Sequence, residues 1–163
     1  MPLQELLPVF PWKRYSKKLK NHILNPLCYG TFTEKDTEGR NLFLATASAG
    51  AESDGNYVTL SWLVDCDDGV IVDAKFTAFG QSALLGAAEA ISCFLIRKDY
   101  GQAQRLDSYI LDKEVRDRAD TQAFPDETLP HISLVIEAVK DAAEQCSHIE
   151  LANQYVAPPV SSL

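Results

Sequence analysis

The chain has 163 residues, room for one ordinary domain and little more. Apolar residues make up 46% and charged residues 23%, a globular composition that excludes disorder and collagen-like structure. A formal net charge of -8 argues against nucleic acid as a partner unless the bases are segregated, and no apolar run approaches the about 18 residues of a membrane-spanning helix.

The first residues, MPLQELLPVF, are apolar and broken by Pro2, Pro8 and Pro11. Basic residues come only afterwards, the reverse of a secretory signal, so the chain reads as cytoplasmic. Residues 1–12 are taken as an N-terminal extension, 13–150 as a single domain and 151–163 as a C-terminal tail, frayed from 156 onward. Within residues 1–25, Lys13, Arg14, Lys17, Lys18 and Lys20 face a single acid, Glu5, so the remainder of the chain is strongly acidic. Over 12–24 the spacing of Trp12, Tyr15, Leu19, His22 and Ile23 predicts a helix with lysines on its other side, stopped by Asn25-Pro26. It reads as a docking helix with a solvated basic face, or alternatively as a partner-binding arm.

Residues 31–40 are polar and turn-rich, 41–48 read as a strand, and 49–56 (AGAESDGN) read as a small-residue loop. Residues 57–64 and 70–79 flank DCDDG and predict an antiparallel hairpin, with Val58, Leu60, Trp62 and Val64 on a buried face and the opposite face wet. Asp65, Asp67 and Asp68 read as turn acids, because the loop is too short for a calcium-binding hand. Residues 82–97 predict a helix buried on most sides, with Ser82 as a candidate N-cap. Two short helices are expected over 101–118 around Asp107-Ser108, a loop over 119–128 holding Pro125, and an amphipathic helix over 131–147. The order of elements predicts an α+β fold: a small three-stranded antiparallel sheet packed against helices, preceded by an N-terminal helix.

Four cysteines, Cys28, Cys66, Cys93 and Cys146, stand too far apart for a zinc knuckle or a redox C-x-x-C, and free thiols are expected. Cys93 reads as a buried small hydrophobe. Hydrolase and nucleotide-binding signatures are missing, and no enzyme is expected; a small enzyme using His131 with a carboxylate is the minor alternative. His22 and His148 lie in helix patterns and read as structural or exposed. Gly80-Gln81-Ser82 joins a strand directly to a buried helix, which leaves helix-start amides open to an anion or a metal-bound atom. Asp54 enters the same hairpin and His131 starts the last helix, so the three are candidate ligands at loop ends.

The run from Tyr15-Ser16 through His22 to Asn25-Pro26, followed by Gly30, resembles the opening helix of the iron–sulfur cluster scaffold family (NifU N-terminal, IscU and SufU types). The block from Gly69 through Asp73-Ala74 and Phe76 to Phe79-Gly80 is similar to the family's second half-hairpin, and the likeness covers roughly residues 13–146. This resemblance implies an IscU/NifU-like fold and a scaffold for iron–sulfur cluster assembly. Its bound species would be iron, an iron–sulfur cluster or zinc, and its partners a cysteine desulfurase or other assembly proteins. It also implies three ligand cysteines at loop ends, because thiolates are soft, charged donors suited to iron and sulfide.

Here those positions fall on Asp54, Gln81 and His131, all substituted; a one-residue shift would put Ile132 at the third. Such a donor set predicts weakened or altered iron or cluster binding. The alternative is a metal-free interaction or regulatory module that keeps the fold. The family's chaperone-recognition segment, of Leu-Pro-Pro-Val-Lys type, reads here Phe124-Pro125-Asp126-Glu127-Thr128, which puts that recruitment in question.

Overall fold

Ser16 begins the fold as an N-cap. Its Oγ accepts the Leu19 N–H at 3.0 Å and donates to the Val115 carbonyl at 2.6 Å, so one hydroxyl both starts a helix and ties it to a distant loop. In the computed structural model, which describes residues 12–149, this helix, α1, spans Lys17–Leu24. The single helix expected over 12–24 is therefore divided: a 3-10 turn holds Trp12–Arg14, and Ser16 breaks the two apart. Tyr15 and Leu19 are buried while Lys17 and Lys18 are exposed, as the spacing requires.

Three strands follow: β1 (Leu42–Ala51), β2 (Asn56–Asp65) and β3 (Ile71–Phe79), antiparallel in the order β1-β2-β3. The sheet and class agree with the α+β expectation. β1 runs further than expected, because Ala49, Gly50 and Ala51 pair with Val58, Tyr57 and Asn56. The supposed loop thus shrinks to a 3-10 turn, Glu52–Asp54, closed by Gly55. On the core face Ala45, Ala47 and Ala49 stand opposite Trp62, Leu60 and Val58. These small residues leave room for a helix above the large ones.

The opposite face of β2 is not wet. Ser61 and Leu63 are buried, and the Phe32 N–H donates to Ser61 Oγ at 3.1 Å. Lys75 lies 4.6 Å from the centre of the Phe32 ring, so the segment around residue 32 covers this face. In the hairpin turn, Asp65 and Asp68 accept the Asp67 and Val70 amides, and Asp67 accepts from Asn41, which fits their reading as turn acids.

Four helices follow: α2 (Ser82–Leu95), α3 (Tyr100–Gln104), α4 (Ser108–Glu114) and α5 (Leu129–Cys146). Asp99 and Asp107 cap the two short ones. Ser82 is not the N-cap of α2. Gln81 takes that place, and the Ser82 hydroxyl instead meets the Tyr15 hydroxyl at 3.1 Å. α5 starts two residues early, at Leu129, because Pro130 suits a first helical turn. It packs over β1 and β2, while α2 packs on β3 and α1. Gln145 of α5 donates to the Thr46 carbonyl at 2.6 Å and accepts its N–H at 3.2 Å, pairing part of the free edge of β1.

No helix of the described residues is long and apolar enough to cross a membrane. The expected fraying from residue 156, and most of the 1–12 extension, lie outside the described residues.

Candidate functional site

Two places hold chemistry-bearing side chains from several elements. The first is the sheet end where the β1–β2 loop, the start of α2 and the start of α5 meet. Gly80 has φ of 151°, a conformation that favours glycine, and a Cβ there would lie 2.5 Å from Asn56 Oδ1 and 3.0 Å from the Gly55 carbonyl. A Cβ on Gly50 would meet the Asn56 carbonyl at 2.2 Å and the Leu134 side chain at 2.9 Å. Loop, strand end and helix therefore close on one another at this end of the sheet.

Asp54 ends the short 3-10 turn and is exposed. Gln81 is exposed, and its N–H donates to Asn56 Oδ1 at 3.4 Å, so one helix-start amide is already satisfied from within the loop. His131 stands half-buried in the first turn of α5, where burial holds its imidazole below the usual histidine range, while Ile132 is 3% exposed and belongs to the core. The side chains at the three positions are a carboxylate, an amide and an imidazole. This set fits a hard divalent ion better than a sulfide-bridged cluster, which takes thiolates.

The second place was not anticipated from the sequence. His22 on α1, Glu89 and Cys93 on α2, and Cys28 on the segment between α1 and β1 come together. Glu89 is 1% exposed in an otherwise apolar helix face. Its Oε1 accepts the Leu27 N–H at 2.9 Å and the Cys28 N–H at 2.7 Å. Its Oε2 lies 3.3 Å from His22 Nδ1 and accepts the Cys93 thiol at 2.9 Å. The Cys28 and Cys93 sulfurs are 3.4 Å apart.

The backbone explains why these residues meet. The Phe76 N–H of β3 donates to the Cys28 carbonyl at 2.9 Å, and the Gly30 N–H donates to the Phe76 carbonyl at 2.8 Å. The 28–30 segment thus lies along the outer edge of β3 and fixes Cys28. α1 approaches α2 across Gly86, where a Cβ would collide with Leu19 Cδ1 at 2.6 Å.

Charges in this cluster are shifted together. Contact with Cys93, then with Glu89, pushes His22 up to about 9, against burial, which pulls it down. Burial raises Glu89, but the bonds it accepts from His22, Cys93 and the two amides outweigh this and hold it below its ordinary value. Contact with Cys28 raises Cys93, opposed by His22 and reinforced by burial and Glu89, whereas the contact with Cys93 lowers Cys28, making Cys28 the readier thiolate. Cys93 is therefore only part-buried and hydrogen-bonded, not the buried hydrophobe expected. Cys146 does fit that description: it is fully buried, which pushes its thiol up to about 12.

The missed signal lies in α2 itself. Glu89 is the only charged residue of SALLGAAEAISCFL, and Cys93 follows four residues later on the same face.

A family model for the NifU-like N-terminal domain matches residues 14–152. The chain belongs to that family. Among curated relatives, the mitochondrial iron sulfur cluster assembly protein 1 of Debaryomyces hansenii is 27% identical over 135 residues, 82% of this chain and 69% of the relative. The iron-sulfur cluster assembly scaffold protein IscU of Haemophilus influenzae is 30% identical over 89 residues, 55% of this chain and 66% of the relative.

The fold is shared with solved structures. An N-terminal NifU-like protein from Brucella abortus matches with a TM-score of 0.59 at 20% identity, over 84% of this chain and 96% of that one. A SUF-system scaffold structure from Fervidobacterium islandicum matches with a TM-score of 0.52 at 16% identity, over 80% and 97%. The three-stranded sheet with flanking helices is thus the NifU/IscU-like architecture.

Proposed function

We propose that this chain acts in iron–sulfur cluster assembly as a scaffold-type binding protein, not an enzyme, with altered iron handling at the sheet end that carries Asp54, Gln81 and His131. One observation supports the reading: the β1–β2 turn closes on the start of α2 at Gly80 and Asn56 and on α5 at Leu134, while none of the three positions that the resemblance assigns to thiolates carries a thiol. The names of the relatives support the process, iron–sulfur cluster assembly. The donor set supports the alteration, since carboxylate and imidazole hold a ferrous ion without bridging sulfide. A cytoplasmic setting and a cysteine desulfurase or other assembly protein as partner complete the proposal.

A second reading, a metal-free interaction module, is favoured by a separate feature. Leu24 at the end of α1, and Leu27 and Tyr29 just after it, are 66%, 84% and 58% exposed, and exposed lysines lie on α1 itself. An exposed apolar run beside basic charge suits a protein partner.

The readings separate by anaerobic binding of ferrous ion and by capture of a cysteine desulfurase. The scaffold reading expects iron retention that falls at least tenfold when Asp54→Ala is combined with His131→Ala. Iron retention unchanged by the double substitution removes the loop-end ligands, and desulfurase capture with no iron bound supports the interaction module.

A further inference from the structure

We propose that His22, Glu89, Cys93 and Cys28 form a second metal site, for a zinc-class divalent cation, between α1 and α2 and separate from the loop end. Gln81 and Glu89 are eight residues apart on α2, about 12 Å along a helix axis, so the two places share no ligand.

The donor chemistry is specific. One imidazole nitrogen, one carboxylate oxygen and two sulfurs come from three separate parts of the chain, and the ligand atoms of His22, Glu89 and Cys93 all lie within 4.8 Å of one another. A tetrahedral ion with bonds of about 2.0–2.3 Å needs donor-to-donor edges of about 3.3–3.8 Å. The contacts here are 3.3 Å for His22 Nδ1 to Glu89 Oε2, 2.9 Å for Cys93 Sγ to Glu89 Oε2 and 3.4 Å for Cys28 Sγ to Cys93 Sγ. Edges to sulfur in such a site are about 3.5 Å to oxygen and about 3.8 Å to a second sulfur, so both sulfur contacts must open, by about 0.4–0.6 Å, to reach the required size. Cys28 is the outlying donor, next to Cys93, and turns in to complete the fourth position.

The surroundings are those of a held ligand set. Glu89 Oε1 is fixed by two backbone amides, which aims Oε2 at the other donors, as supporting hydrogen bonds do in metal sites. Glu89 is 1% exposed and pairs with His22, so a bound cation would take the place of the imidazolium charge beside this carboxylate. Binding would displace the protons of both thiols and of the imidazole to solvent and leave the ion its four donors. The His22 side chain is 28% exposed, which leaves an entry path.

Cobalt(II) is the probe, because a tetrahedral site gives it strong visible absorption and each bound sulfur adds near-ultraviolet charge transfer. Reduced, chelator-treated full-length protein should take one cobalt per chain with both features, and zinc should bleach them. Cys93→Ser should weaken binding at least tenfold, Cys28→Ser should roughly halve the sulfur band, and His22→Gln should shift the visible band. Asp54→Ala with His131→Ala should leave this spectrum intact, which distinguishes the site from the proposed loop-end iron site. Folding of each variant is checked by circular dichroism, and serine for cysteine keeps the volume close to native. No tetrahedral spectrum, or one unaffected by Cys93→Ser, overturns the site. A sulfur band unchanged in Cys28→Ser overturns Cys28 as the fourth ligand.

Discussion

The Cys93 thiol donates to the Glu89 carboxylate at 2.9 Å, one helical turn away on the same face of α2. Around this pair the protein spends a buried charge where an apolar side chain would pack more simply. Glu89 also takes the amides of Leu27 and Cys28, so it closes the chain between α1 and the sheet edge. Glu89→Ala should therefore lower stability by about 2–4 kcal/mol, because one buried and one part-buried amide lose a charged acceptor. Urea unfolding of metal-free protein measures this, and a loss below about 0.5 kcal/mol would contradict it.

Gly86 lets α1 sit on α2. Its added Cβ would approach Leu19 and Ile23 within 3.0 Å, and Leu19 is fully buried and has little room to give. Gly86→Val should cost roughly 2–3 kcal/mol by overpacking, more than any gain in helix propensity returns. Thermal unfolding should show it, and a neutral or stabilising result would mean that the two helices are not held this closely.

Asp117 anchors the start of α1 by accepting the Lys17 N–H at 2.7 Å and the Lys18 N–H at 3.2 Å. The Lys17 amide is the largest cause that holds its carboxyl below the ordinary 3.8, ahead of the opposing burial and the Lys18 amide. A depressed carboxylate stabilises the fold above its unfolded value, and that contribution disappears as pH falls through the folded one. Asp117→Asn should thus differ most from wild type near neutral pH, and the two should converge in acid. Parallel unfolding curves with a constant gap down to the lowest pH would contradict this.

The basic face of α1 offers a separate test of partner binding. Removing residues 1–25 would take Tyr15 and Leu19 out of the core, so truncation reports on folding instead. Reversing Lys13, Lys17 and Lys18 to glutamate changes exposed charges only. Stability should move by less than about 1 kcal/mol, while desulfurase capture weakens if this face docks. Undiminished capture would exclude it.

Much of the fold was legible because its signals are local. The hairpin followed from alternating residues around DCDDG, and the long helices from apolar periodicity. The errors came where distant residues decide. Ser61 and Leu63 look solvent-facing by alternation, yet both are buried, and the Phe32 amide closes on the Ser61 hydroxyl. Gly50 reads as loop, yet its pairing with Tyr57 extends β1. The loop-end positions came from a family likeness rather than from spacing. The His22–Glu89–Cys93–Cys28 cluster escaped notice because Cys28 and Cys93 are 65 residues apart and meet only when α1, α2 and the edge of β3 are assembled.

Whether the loop end of this scaffold-type protein lacks the chemistry for a sulfide-bridged cluster is tested most directly by measuring iron and acid-labile sulfide together after anaerobic reconstitution with ferrous ion and sulfide. Cys28→Ser with Cys93→Ser keeps the second site out of the measurement. The expected result is bound iron without stoichiometric labile sulfide, and loss of that iron when Asp54 and His131 are both replaced by alanine. Iron and sulfide retained in equal amounts, and lost together in the Asp54 and His131 substitutions, would contradict it.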